Sequence, residues 1–161
     1  MRRSALALTA GAVVVAIGLS ARAQSPAVRF SAAPPDEAVV ELMEHARADL
    51  PRVSDNRGRP FAANSPSDRN GAVIPIVEAR TIIDTGFASG AARWCQLDWQ
   101  QNLRFLLNEQ RARGIWDERQ LAFIGVLHAH AMSAVLDANR DRSCGAGDRL
   151  LIGDYLRRRW H

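Results

Sequence analysis

The chain has 161 residues with 21 basic and 17 acidic side chains, and every basic one is an arginine. Setting aside residues 1–23 removes Arg2, Arg3 and Arg22 and leaves 18 basic against 17 acidic residues, so nucleic-acid binding driven by overall charge loses its support. There is no phosphate-binding glycine loop, no G-x-S-x-G and no H-E-x-x-H, and the two cysteines allow a single intramolecular pairing.

Residues 1–23 read as a cleaved secretory signal peptide: Arg2 and Arg3, an apolar run from Ala5 to Leu19, and Ala21-Arg22-Ala23 as an A-x-A site. The expected mature protein is periplasmic or secreted, with no transmembrane segment left after cleavage. Its length suits one domain with one core. Residues 24–35 form a flexible, Pro-containing lead-in to a helical domain over 36–161.

The first helix starts near Asp36, with Val39, Leu42, Met43, Ala46 and Leu50 at helical spacing and Pro51 after its end. Residues 51–71, rich in Pro, Gly, Asn, Ser and Asp, make a loop long enough in a small domain to be either mobile or functional. Pro75 fits the first turn of a second helix whose apolar face includes Ile82, Ile83, Gly86, Gly90 and Trp94. Two glycines one turn apart cost about 1 kcal/mol each relative to alanine. Close approach of another helix is the expected reason, with a ligand against bare backbone as the alternative.

Asp98-x-x-Gln101 reads as a capping box for a third helix ending at Gly114, and Asp117-x-x-Gln120 as a second box with a Trp116–Leu121 staple. The fourth helix, to about Asn139, is the most apolar and is expected at the centre of the core. After a loop holding Cys144, Asp148 is expected to cap a last helix bearing Leu151, Ile152, Tyr155 and Leu156. The fold class is therefore all-α, a single-domain bundle of four to five helices.

In an exported chain, Cys95 and Cys144 are expected to form a disulfide. Closing a loop of about 50 residues contributes about 4 kcal/mol in the chain-entropy model. Trp94 and Trp99 then cover the bridge and Asp98 caps a helix. A reactive Cys95 would need a nearby base or a C-x-x-C partner, and neither is present in sequence.

No catalytic residue is assigned. His128 and His130, two apart on a helix, point about 160° away from each other and do not chelate one ion; His45 and His161 lie far off in sequence, so neither metal nor cofactor is expected. Glu41, Glu44, Glu78 and Asp84 are the carboxylates available to a hydrolase, the alternative reading. Arg157, Arg158, Arg159 and Trp160 are a possible interaction patch, with cations at a helix C-terminus as their ordinary role.

The stretch LHAHAMSAVLDANRDRSCGAGDRLLIGDYLRRRW, an apolar helix followed by a loop cysteine and a short Leu-rich helix, resembles small disulfide-stapled periplasmic helical proteins, the HdeA-type acid chaperones and the immunity proteins of type VI secretion effectors. No functional residue carries over. The resemblance implies a non-enzymatic protein that binds other proteins. The expected function is thus an exported, monomeric interaction or stress-related module, its partner another envelope protein, contacted through the 51–71 loop and exposed Trp and Arg side chains.

Overall fold

The computed structural model describes residues 34–68 and 71–159, with the backbone alone for Arg159. The expected signal peptide, most of the expected lead-in, Trp160 and His161 therefore lie outside the described residues. The rest is all-α: α1 Asp36–Asp49, α2 Ile76–Trp94, α3 Gln100–Ala112, α4 Glu118–Ala138 and α5 Ala146–Arg159, with a 3-10 turn at Leu50–Arg52. Among the described residues the only β pairing is an isolated bridge between Ser54 and Pro60.

α2 and α4 make the most extensive contact of the fold, and the glycines of α2 are the reason they can. A Cβ on Gly86 would lie 2.6 Å from Ala131 Cβ and 2.7 Å from the His128 carbonyl; one on Gly90 would lie 2.6 Å from the Met132 carbonyl. The expected close approach of another helix is what these positions serve. α1 lays Val39, Met43 and Ala46 on the same core, joined by Leu50, Ile74, Phe123, Ile124 and Leu127. Each such large side chain, fully buried, stabilises the fold by ~1.5–3 kcal/mol.

A second, smaller cluster gathers Ala88, Ala91, Ala92 and Cys95 of the α2 end with Ile152 and Leu156 of α5. The Cys95–Cys144 disulfide closes it, with 5.1 Å between the Cα atoms. Trp94 and Trp99 pack against this cluster, as expected of cover for the bridge. Trp94 also donates its indole N–H to the Arg142 carbonyl at 3.0 Å, tying the loop before α5 to α2.

Helix starts differ from expectation at three places. Pro75 is the residue preceding α2 rather than part of its first turn. α3 begins at Gln100 after Trp99; Asp98 still accepts from the backbone N–H groups of Gln100 and Gln101, at 3.1 and 3.4 Å, one position earlier than a capping box requires. Asp148 does not precede α5 but sits in its first turn, where its carboxylate accepts the Gly145 N–H at 3.1 Å and meets the positive end of the helix dipole. The Asp117–Gln120 box is present with both arms, and Gly114 ends α3 at φ 66°.

The long segment after α1 is held by two carboxylates. Asp55 accepts the Arg57 and Arg59 backbone N–H groups, each at 2.9 Å, and the Arg59 guanidinium at 2.8 Å, folding residues 54–60 into a tight arm. Phe61, next along, packs on the main core. Further on, Arg119 of α4 donates to the Ala62 and Ala63 carbonyls, both at 2.8 Å, and makes a two-pronged pair with Asp68 at 2.6 and 3.0 Å. Hydrogen bonding to Arg119 holds the Asp68 carboxyl below the usual carboxylate range.

Candidate functional site

Between this arm, the outer face of α4 and the end of α3 lies an open groove of about 920 Å³. Its floor is α4. Ala122, Gly125, Val126, Ala129 and Ser133 stand at i, i+3, i+4, i+7 and i+11 along the face turned away from the α2 contact. Leu121 and Leu107 close one end and Phe61 forms part of the arm's wall.

The opposite end is polar. Asp49, at the C-terminus of α1, accepts from Arg52 on Oδ1 at 2.9 Å and meets His130 Nε2 on Oδ2 at 3.1 Å. His45, one helical turn before Asp49, places its ring centroid 6.1 Å from that of His130. The two histidines far apart in sequence thus come together. Ser133, three residues after His130 on α4, and Asn56 of the arm also line the groove. Among the described residues no group of three or more His, Cys, Asp or Glu side chains is placed to hold a metal ion.

The other histidine of the pair is sealed off. His128 is 1% exposed and its Nε2 lies 2.8 Å from Ser89 Oγ. This Ser–His contact is not a nucleophile and its base. Ser89 spends its proton on the Thr85 carbonyl at 2.9 Å, so its oxygen accepts and the imidazole carries hydrogen on Nε2. Burial depresses the His128 pKa from 6.5 to about 4, which keeps the ring neutral. It is a core hydrogen-bonding residue between α2 and α4.

The carboxylates singled out for a hydrolase are not part of this groove. Glu78 is engaged by both terminal guanidinium nitrogens of Arg113 at 2.7 Å, which holds its pKa below the usual value. Glu44 pairs with Arg47, and none of Glu41, Glu44, Glu78 and Asp84 lines the groove. At the C-terminal patch, Arg157 pairs with Asp154 and Arg158 is exposed on the outer side of α5. Asp49 and His130, the polar pair the groove does contain, come from segments 81 residues apart.

Two arginines stack on tryptophans at the disulfide end, Arg93 over Trp99 and Arg142 over Trp94, each 5.7 Å from the ring centroid. α4 is long and apolar enough to cross a membrane by length and composition, with 33% of its apolar window buried. Its inner face is the packing surface for α2, α1 and α3. Comparison of the chain with protein-family models, with curated proteins and with solved structures finds no match.

Proposed function

We propose that the protein is an exported, non-catalytic binding module of the cell envelope, acting as a monomer and holding its partner in the groove between the arm and α4. The observation that carries this reading is the groove itself: an apolar floor, ordered walls and a polar end, on a scaffold stapled by a disulfide. Its volume falls in the range of about 300–1,000 Å³ typical of ligand sites. The disulfide is compatible with an oxidising compartment, and the signal-like first 23 residues support export. A stress-related role for such a module rests on the resemblance of its C-terminal stretch to acid chaperones.

One observation favours a second reading, a small hydrolase. His130, oriented by Asp49, opens onto the groove with Ser133 one turn further along α4. That dyad is a different set of groups from the helix-borne carboxylates expected for a hydrolase.

Affinity capture from envelope extract tests the first reading, comparing the intact protein with a Gly125→Leu variant that fills the groove floor. The binding reading expects a partner or co-purifying molecule recovered by the intact protein and lost from the variant. Equal recovery by both, or by neither, ends it. Turnover of an ester substrate that is abolished in His130→Ala would favour the hydrolase instead.

A further inference from the structure

Gly125 stands in the middle of the most apolar helix, where glycine costs about 1 kcal/mol relative to alanine. Packing does not explain it. A Cβ built there meets no atom within 4 Å, whereas those at Gly86 and Gly90 would collide with α4. What Gly125 keeps open is the groove floor, flanked by Ala122 and Ala129. From Ala122 to Ser133 that floor runs about 16 Å at 1.5 Å per residue, an apolar track long enough for an extended chain.

The polar end offers donors. Both oxygens of Asp49 are taken, by Arg52 and His130, and Asp55 is saturated by the arm. Arg52 is 81% exposed, with one guanidinium nitrogen on Asp49 and the rest of its fork in solvent. The Asn56 amide and the Ser133 hydroxyl also line the groove. The Arg52 guanidinium fork, with N–H groups to spare, matches a single carboxylate. Glu118 and Arg111 are at the far end with Leu121 and Leu107, where their stems can cover apolar surface while their charges stay in water.

We infer that the groove binds an anionic amphiphile, an unbranched alkyl chain ending in a carboxylate, with the chain along Ala122, Gly125 and Ala129 and the carboxylate on Arg52. This rests on the groove being the binding site and names what it takes. No bond is made or broken; the ligand is held by apolar burial along α4 and a charge-assisted hydrogen bond at the head.

Isothermal titration with decanoate and with decanol tests this on the protein recovered with its disulfide intact. Decanoate is expected to bind saturably at one site and decanol about tenfold more weakly, the worth of one charge-assisted contact. Arg52→Gln should bring decanoate down to the affinity of decanol and leave decanol unchanged. Gly125→Leu and Ala129→Trp should abolish both, with circular dichroism and a thiol count confirming that each variant is folded. No saturable decanoate binding by the wild type overturns the inference, as does binding undiminished in both floor variants or an Arg52→Gln effect equal for acid and alcohol. If decanoate fails while Gly125→Leu still loses a captured partner, the binding reading stands and the ligand class alone falls.

Discussion

The two faces of α4 are built from the same kinds of residue and behave in opposite ways. The inner face presents Ala131, the Met132 backbone and His128 to α2, and the α2 glycines are there because the two backbones meet. The outer face presents Ala122, Gly125 and Ala129 to an open groove, and the glycine there touches nothing. Small residues on a helix permit close approach; whether a neighbour has come close is decided by the rest of the fold. Inside, the neighbour is α2. Outside, the arm of residues 54–61 stands off, held at a distance by its own Asp55 network and by Arg119.

Removing the fastener of the outer face should have the largest effect. Arg119 and Asp68 are 11% and 7% exposed, and breaking a buried pair by deleting one partner costs about 3–5 kcal/mol. Arg119→Ala should lower stability by that amount in denaturant melts and raise hydrogen exchange over residues 62–68 before any change in α2. Uniform exchange throughout the molecule would show that the arm is no separate wall.

On the inner side, the disulfide binds α5 to the same α2 that packs on α4. Opening it by Cys95→Ser with Cys144→Ser should cost about 4 kcal/mol. α5 should lose amide protection first, because among the helices it packs on α2 alone. An unchanged melting temperature, or free thiols in oxidised wild-type protein, contradicts the staple.

Acid should act from the inside. The folded pKa of His128, about 4, lies below the unfolded value near 6.5, so the unfolded chain takes up a proton the native state refuses. Stability is full above pH 6.5 and falls as the pH drops toward 4, by about 3 kcal/mol at pH 4. The lowered pKa values of Asp55, Asp68 and Glu78 act in the same direction but at lower pH, their contribution being lost below the ordinary carboxylate range. Between about pH 5.5 and 6.5, above the carboxylate range, His128 contributes a slope of its own, and His128→Gln should reduce it. A slope unaltered by that change refutes the assignment.

Much of the fold could be read from the sequence because it rests on local chemistry. The start of α1, the Asp117–Gln120 box and the Gly114 stop are each written within a few residues. The pairing of Cys95 with Cys144 followed from there being no other partner. The close approach at Gly86 and Gly90 was legible as well, since unexplained glycines in a helix need a neighbour. Asp148 misled because an acid near a helix start serves equally as cap or as first-turn residue, and only the backbone decides between them.

The groove was not legible. A run as apolar as α4 reads as buried all round, and nothing local says that Gly125 and Ala129 face open space while Ile124 and Leu127 are buried. The Asp49–His130 pair depends on the end of α1 meeting α4 beyond its middle, a tertiary fact. The polar composition of residues 51–71 left open whether the loop is mobile or functional, and Asp55 and Asp68 collect enough hydrogen bonds to order the described part of it. A carboxylate that gathers backbone N–H groups leaves no periodic trace in a sequence.

The contrast between the two faces is tested most directly by one pair of substitutions, Gly90→Ala and Gly125→Ala, compared in equilibrium denaturant melts. At Gly90 the added methyl meets the Met132 carbonyl, and overpacking of about 1–3 kcal/mol outweighs the gain in helix propensity, so stability should fall. At Gly125 the methyl enters open space and the propensity gain stands alone, so stability should rise by about 0.5–1 kcal/mol. Opposite signs are the predicted result. A loss of stability at both positions would mean that the outer face of α4 is packed like the inner one and that there is no open floor on which a ligand could lie; a gain at both would contradict the close approach at Gly90.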